Sequence, residues 1–169
     1  MAGSITPATS VLTQRGVAFA VHTYTHERGV VAYGDEATEV LVGALGVSPD
    51  QVFKTLVVTC GAGSGRSTLA VAVLPVPSTL SLKAMASALG VGKTAMADPA
   101  AVRRSTGYVL GGVSPLGQRT ILPTVVDSSA LRHERVFCSG GRRGLEIELD
   151  PAELVGATMA TVADIRRLP

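Results

Sequence analysis

VFKTLVVTC, residues 52–60, and TLAVAVL, residues 68–74, are two β-rich runs separated by the glycine-rich link GAGSGR at 61–66. Two such runs with a short glycine-containing connection predict neighbouring strands joined as a hairpin. The link also resembles a dinucleotide-binding glycine motif, but its third glycine falls one position early and a strand follows where that motif requires a helix. We therefore interpret the link as a hairpin loop.

Helices and further short strands flank this pair. Apolar periodicity bounded by capping residues predicts helices over 6–16, 34–45, 80–89 and 98–107, and a last helical turn that opens at 150–151. Strands are expected at 19–25, 108–110, 124–127, 136–139 and 145–149, before a final apolar stretch at 158–165. Strand and helix do not alternate regularly, and no linker divides the chain. The pattern predicts one α/β or α+β domain with a mixed sheet, spanning residues 1–169.

The composition excludes several classes of protein. The chain has 169 residues, of which 46% are hydrophobic and 17% charged, and its formal net charge is +2. These values exclude a disordered chain, and no apolar run approaches the roughly 20 residues that cross a bilayer. The start shows no basic stretch followed by an apolar block, and two cysteines do not form a disulfide framework. We therefore expect a cytoplasmic protein without membrane contact.

Several candidate motifs fail on spacing. Gly92-Lys93-Thr94 resembles the end of a phosphate-binding loop, but the leading glycine of that motif is absent and a helix precedes it. His22 and His26 share a strand face around Tyr24, yet no nearby acid or cysteine completes a zinc-ligand set. Cys60 and Cys138 each lie in an apolar strand and are interpreted as buried small hydrophobic residues. We expect no metal and no cofactor.

Lys54 is the most informative residue of the central strand. The chain has only three lysines against twelve arginines, and the alternation of the strand places Lys54 on the same face as Val52, Leu56, Val58 and Cys60. A lysine on an apolar face must be paired, directed into a cleft, or extended so that its ammonium reaches water. The position alone is compatible with a functional lysine or with a packed lysine at a strand end.

Two glycine-rich segments are further candidates. GGVSPLG at 111–117 combines uncovered backbone N–H groups with a proline-fixed shape, which suits a ligand carbonyl or phosphate, although tight turns are also built this way. SGGRRG at 139–144 adds two arginines and is either an anion cradle or a hairpin with a basic tip. In the strand that follows, alternation predicts that Glu146 points outward as a solvated carboxylate.

These segments carry a family resemblance. The chain resembles the YbaK/EbsC family of aminoacyl-tRNA deacylases in TPA (6–8), HTYTH (22–26), GDEA (34–37), DQVFKTLVV (50–58), LAVAVLPV (69–76), MADP (96–99), RSTGYVLGGVSPLGQ (104–118), LPTVVD (122–127) and SGGRRGLEIEL (139–149). The similar stretches span nearly the whole chain in the same order. The resemblance implies the fold of the prolyl-tRNA synthetase editing domain, a curled, mostly antiparallel mixed sheet flanked by helices.

The resemblance also implies a function and a set of site residues. It implies a trans-editing enzyme that deacylates mischarged Cys-tRNA(Pro), with Cys-tRNA(Cys) as a further candidate, by attack of the substrate's own thiol on its ester. The partners it implies are the 3′ end of an aminoacyl-tRNA and, as a candidate, prolyl-tRNA synthetase. The functional lysine of the family falls on Lys54. The substrate-binding positions fall on Tyr24, Tyr33, Thr55, Gly111, Gly112, Val113, Ser114, Pro115, Ser139, Gly141 and Glu146.

Two positions depart from the family pattern, and two alternative functions stay open. Position 33 is Tyr where close relatives have Phe, and position 146 is Glu where similar proteins usually have Asp. The first alternative is an Ala-tRNA(Pro) deacylase that uses a positioned water in place of the substrate thiol. The second is a non-catalytic module that binds tRNA or a synthetase.

Overall fold

The computed structural model of the chain describes residues 4–61 and 68–168, which form helices and short strands in irregular order. In chain order the elements are α1 (Pro7–Gln14), β1 (Phe19–Thr23), α2 (Tyr33–Leu45), β2 (Phe53–Cys60), β3 (Thr68–Pro75), α3 (Leu82–Leu89), β4 (Thr94–Met96), α4 (Pro99–Thr106), β5 (Thr124–Asp127), β6 (Val136–Arg142), β7 (Leu145–Leu149), α5 (Pro151–Thr158) and β8 (Thr161–Ala163). None of the helices in these two ranges is long and apolar enough to cross a membrane.

The strands form two sheets. The larger sheet has the order β4-β2-β3-β5-β8, in which β2 pairs antiparallel with β3 and β4, while β5 pairs parallel with β3 and β8. The smaller sheet, β1-β7-β6, is antiparallel throughout. A single parallel bridge between Val52 and Phe137 connects the two sheets. The mixed α+β fold expected from the sequence is confirmed, with its strands distributed over two sheets.

The central hairpin forms as predicted. Phe53 lies opposite Pro75 and Cys60 lies opposite Thr68, so the whole of β2 is paired with β3. Residues 62–66 of the predicted hairpin loop lie outside the described residues. β2 is covered on both faces: Phe53 and Val57 belong to the core between the sheets, whereas Val58 and Cys60 pack with Met85 of α3. Lys54 therefore lies on an apolar strand face, as its alternation predicts.

Local signals place most helix ends correctly. α4 begins at Pro99 and ends before Gly107, whose φ of 80° is the left-handed conformation that glycine adopts readily at a helix end. The predicted strand at 108–110 is wrong, because Gly112 N–H donates to the carbonyl oxygen of Val109 and closes a turn there. The expected turn at 150–151 extends to the full helix α5, and the final apolar stretch contains β8. The three-residue strand β4 was not predicted.

Candidate functional site

A cavity of about 260 Å³ lies between the start of β2 and the start of α2. The loop at 110–113 and the facing strands β6 and β7 complete its wall. Among the predicted site residues, those that line it are Tyr33, Lys54, Thr55, Gly111, Val113, Ser139 and Glu146. The remaining lining residues are Val31, Gly34, Ala37, Val52, Phe53, Leu56, Val76 and Leu110, mostly apolar side chains that sequence patterns cannot distinguish from core. A concave, largely apolar site with a few convergent polar groups is typical of ligand pockets.

Lys54 is anchored at the wall of this cavity. Its Nζ donates hydrogen bonds to the carbonyl oxygens of Val76, at 3.2 Å, and Ser78, at 2.5 Å. Partial burial lowers the pKa of the Lys54 ammonium, and the nearby Asp35 carboxylate opposes that shift. An ammonium group has three N–H bonds, so two are used by the protein and one is left for a ligand in the cavity. The lysine is held in a fixed position with its charge beside the open space.

Glu146 also faces the cavity, which corrects its predicted outward orientation. Its exposed fraction is 6%, and burial raises the pKa of its carboxyl to about 8. β7 is the middle strand of its sheet, with His22 of β1 and Ser139 of β6 opposite Glu146. The alternation rule assumes a solvated second face, but here that face is covered by the cavity walls. A buried carboxyl without an ion pair among the described residues therefore lies across the site from β2.

Tyr33 forms one edge of the cavity with residues from three separate segments. The Arg143 guanidinium lies 4.7 Å from the centroid of the Tyr33 ring, and Arg143 Nε donates to the carbonyl oxygen of Leu110 at 2.9 Å. On another side, the ring of His26 lies 5.4 Å from that of Tyr33, and His26 Nδ1 is hydrogen-bonded to Glu36 at 2.7 Å. Arg143, which belongs to the segment expected to be either an anion cradle or a hairpin with a basic tip, thus reaches the rim of the site.

The glycine-rich loop approaches the Tyr33 ring so closely at Gly111 that a residue with a Cβ would not fit there. Gly111 has φ +84°, and a Cβ at this position would lie 2.5 Å from Cγ of Tyr33. The N–H of Gly112 is used by the carbonyl of Val109. The N–H groups of Gly111 and Val113 donate to no acceptor in the described parts of the chain. Of the N–H groups at 111–113, those of the two residues that line the cavity therefore have no partner within the described protein.

The remaining predicted residues lie around the cavity without lining it. Ser114 is fully buried and its Oγ accepts from the N–H of Leu116, while Pro115 contributes to a different concavity. A Cβ on Gly112 would lie 2.8 Å from Cα of Arg142. A Cβ on Gly141 would lie 2.9 Å from the Tyr108 ring. These positions pack the two glycine-rich segments against each other and against the core.

Tyr24 and Thr55 differ in their surroundings. Tyr24 does not line the cavity, and burial and then the Glu146 carboxylate raise the pKa of its phenol. Thr55 Oγ1 is buried and has no hydrogen-bond partner among the described residues. Such an unpaired hydroxyl costs about 1–3 kcal/mol, and a ligand in the cavity could supply its partner.

The two histidines and two cysteines stay outside the cavity. His22 Nε2 lies 3.7 Å from Glu148, and the ring of His26 is the one beside Tyr33. Within residues 4–61 and 68–168, no three His, Cys, Asp or Glu side chains are grouped so that they could hold a metal ion. Cys60 and Cys138 are buried free thiols, as predicted.

Comparison with known proteins identifies the family. The model of the aminoacyl-tRNA editing domain matches residues 35–157, which include the cavity residues of β2, the glycine-rich loop, β6 and β7, whereas Tyr33 and Gly34 precede the matched range. This chain belongs to the aminoacyl-tRNA editing domain family. Its substrate class is therefore aminoacyl-tRNA, and its reaction is deacylation.

Individual relatives agree with this assignment. Over 129 residues the chain is 35% identical to a protein of Enterococcus faecalis named "Putative Cys-tRNA(Pro)/Cys-tRNA(Cys) deacylase EbsC", covering 76% of each chain. A crystal structure described as a "putative trans-editing enzyme for prolyl tRNA synthetase" superposes with a TM-score of 0.79 at 26% identity, covering 96% of both chains. The hypothetical protein APE2540 gives the same TM-score at 29% identity, over 96% of this chain and 100% of that one.

Proposed function

We propose that this editing-domain protein deacylates Cys-tRNA(Pro), with Cys-tRNA(Cys) as a second substrate, and that the cysteinyl thiol of the substrate is the nucleophile. The observation that carries the proposal is the chemistry of the cavity. It combines a fixed ammonium, a buried carboxyl and free backbone N–H groups, but no cysteine or histidine lines it among the described residues. An enzyme with this set needs a nucleophile from its substrate or from water.

The hydroxyl groups in the cavity lack the base that would activate them. Ser139 lies opposite Glu146 in the strand register, yet its Oγ accepts from the N–H of Gly141 and forms no hydrogen bond with that carboxyl. Thr55 Oγ1 has no partner at all in the described chain. Nucleophilic serine and threonine residues depend on an adjacent hydrogen-bonded base. A thiol, in contrast, is intrinsically very nucleophilic, and a few per cent of it is already thiolate at pH 7.

The reaction can be written with the groups that are present. The substrate sulfur bonds to the ester carbonyl carbon, and the bond from that carbon to the ribose oxygen breaks, leaving a thiolactone and the free tRNA end. In its ionised form Glu146 accepts the thiol proton and returns it to the leaving ribose oxygen, and a pKa near 8 makes this carboxylate a stronger base than an exposed one. The remaining N–H of Lys54 and the N–H groups of Gly111 and Val113 stabilise the negative charge that develops on the carbonyl oxygen.

The other proposed site residues divide by position. Tyr33, Thr55 and Ser139 line the cavity and are proposed to contact the aminoacyl group. Tyr24, beside Glu146, is proposed to border the same group. The positions that shape the glycine-rich walls without lining the cavity are Gly112, Ser114, Pro115 and Gly141. Prolyl-tRNA synthetase, named for one structural relative, is the proposed partner because its mischarged product is the substrate.

A deacylation panel tests the substrate and the nucleophile. We expect rapid cleavage of Cys-tRNA(Pro) and Cys-tRNA(Cys), cleavage of Ser-tRNA(Pro) and Ala-tRNA(Pro) at no more than about one-hundredth of that rate, and no cleavage of Pro-tRNA(Pro). Ser-tRNA(Pro) is the matched control because serine differs from cysteine only in the oxygen that replaces sulfur. Equal rates for the Ala and Cys substrates would indicate a positioned water instead. Binding of all substrates without turnover would indicate a non-catalytic module.

Lys54 gives a second test of the same site. Lys54→Ala should lower kcat/KM for Cys-tRNA(Pro) by about 10²–10³, the usual effect of removing one donor to a developing oxyanion. The variant also leaves the carbonyls of Val76 and Ser78 without their partner, so circular dichroism and thermal melting must show that it is folded. Lys54→Arg retains the charge and serves as the matched control. Near-wild-type turnover by folded Lys54→Ala would refute the assigned role.

A further inference from the structure

A second concavity, which we call the arginine groove, lies at the end of α4. It has a volume of about 420 Å³ and is lined by Arg103, Arg104 and Arg119 together with Ala100, Gly107 and Val109. All three arginines are exposed, and no acidic residue lines the groove in the part of the chain that the structure describes. Within residues 4–61 and 68–168, none of the three arginines forms an ion pair. Three uncompensated guanidinium groups therefore surround one hollow.

Backbone contacts hold the two sides of the arginine groove together. The N–H of Arg119 donates to the carbonyl of Thr106 at 3.0 Å, and the N–H of Thr120 donates to that of Ser105 at 2.8 Å. The side chain of Arg119 passes over Gly107, where a Cβ would lie 3.6 Å from its Nε. The tertiary pairing brings Arg119 beside the last turn of α4. The groove is thus part of the folded framework.

The arginine groove and the cavity are lined by consecutive residues of one loop. Val109 lines the groove, and the next two residues, Leu110 and Gly111, line the cavity. Arg143 donates to the carbonyl of Leu110 and so adds a further positive charge at this junction. Leu110 is 59% exposed, which leaves an apolar contact at the mouth. A ligand whose end enters the cavity can extend along this path past four arginines.

We infer that the arginine groove binds phosphate groups of the tRNA acceptor end whose terminal ester occupies the cavity. The inference rests on the proposed function only in that an aminoacylated RNA is the ligand. Guanidinium groups form paired hydrogen bonds with phosphate, and unpaired arginines beside a site for an RNA ester match that chemistry. The small net charge of the chain agrees with a contact to a few phosphates, not to a long duplex.

A second basic surface fits this role less well. Arg132, Arg166 and Arg167 line another concavity, but Asp164 lines it too. Arg166 is also paired with the buried carboxylate of Asp127 at 3.1 Å. The positive charge there is partly compensated within the protein. Of the two surfaces, the arginine groove offers the larger uncompensated charge.

The salt dependence of RNA binding tests the inference without any catalytic step. The probe is a fluorescein-labelled acceptor-stem minihelix of tRNA(Pro) with an unacylated CCA end, followed by fluorescence anisotropy between 50 and 200 mM NaCl. The test variant combines Arg103→Ala, Arg104→Ala and Arg119→Ala. The matched control combines three exposed residues elsewhere, Lys83→Ala, Arg132→Ala and Arg167→Ala. Each variant changes the formal net charge from +2 to −1.

The expected result is a change of slope confined to the groove variant. Each lost phosphate contact lowers the slope of log affinity against log salt concentration by about 0.7–0.9 in magnitude. If the variant loses three contacts, the wild-type affinity should fall about 20- to 40-fold more than that of the groove variant between 50 and 200 mM NaCl. The control should follow the wild type. The inference would be overturned if the plots of log affinity against log salt concentration were parallel for the groove variant and the wild type. It would also be overturned if the slope changed equally in the control variant. Thermal melting confirms that each variant is folded.

A phosphate-free substrate separates this inference from the proposed function. The cysteinyl ester of adenosine can enter the cavity but has no phosphate group for the arginine groove to bind. The groove variant should cleave it at the wild-type rate, whereas it should cleave Cys-tRNA(Pro) more slowly. If the wild type binds the minihelix through the groove but cleaves neither ester, the groove stands and the proposed function fails.

Discussion

Replacing Glu146 by glutamine should stabilise the folded protein, and the gain should grow as the pH rises from about 5 to 8. Burial raises the pKa of this carboxyl from 4.5 to about 8 in the folded state. Between these two values the folded protein keeps the proton that the unfolded chain has lost. The free energy of unfolding of the wild type must therefore decrease across this pH window. Glutamine has the same shape, remains neutral at every pH, and removes this dependence.

The size of the effect follows from the difference in pKa. One pKa unit corresponds to 1.36 kcal/mol, so the penalty reaches about 5 kcal/mol above pH 8 and about 3 kcal/mol at pH 7. Below pH 4.5 the carboxyl is protonated in both states and the penalty disappears. A difference of this size is a large part of the 5–15 kcal/mol that usually stabilises a domain. The effect is well within the reach of equilibrium measurements.

Urea denaturation at pH 5, 6, 7 and 8 provides the assay. The difference in unfolding free energy between Glu146→Gln and the wild type should rise by about 1 kcal/mol per pH unit. Glu153→Gln, an exposed carboxyl on α5, is the matched control and should give a small, nearly constant difference. The reasoning is refuted if the Glu146→Gln difference does not change with pH. The same variant should lose deacylation, because it can no longer accept a proton.

Two further substitutions probe the walls of the cavity. Gly111→Ala should lower kcat/KM for Cys-tRNA(Pro) at least about 10-fold, because its Cβ would displace the Tyr33 ring; Gly46→Ala, which also has a positive φ but open space around it, should leave kcat/KM unchanged. Cys138→Ala should retain kcat within about threefold, because this fully buried thiol does not line the cavity and burial raises its pKa, which suppresses the reactive thiolate. Loss of turnover in Cys138→Ala would show that a protein thiol takes part.

Local sequence signals were sufficient for the main elements. Residues 124–127 were predicted as a strand and form β5, and the proline and glycine around α4 mark its ends. The same signals failed where a tertiary contact decides the conformation. The strand predicted at 108–110 gives way to a turn that allows Gly111 to pack against Tyr33. β4 forms because Thr94 to Met96 pair with the edge of β2. No local sequence pattern predicts this pairing.

The candidate site was only partly predictable for a related reason. Lys54 could be singled out because a charged residue on an apolar strand face is rare. Glu146 was placed on the wrong side because alternation specifies opposite faces without saying which of them is solvated. Arg103 and Arg104 resemble the solvated face of an ordinary helix. Their meeting with Arg119 depends on a backbone pairing that only the folded chain contains.

The groups that remain unpaired in the cavity link the stability of the fold to its proposed activity. A fold selected for stability alone would pair or replace the buried carboxyl of Glu146 and the buried hydroxyl of Thr55, since each costs free energy in the absence of a ligand. Lys54 is fixed by two carbonyls yet keeps one N–H for the cavity. Rigid donors and acceptors that are unsatisfied until a substrate arrives are already oriented for the developing charge and need little rearrangement. The destabilisation expected from Glu146 and the proposed deacylation are thus two consequences of the same arrangement.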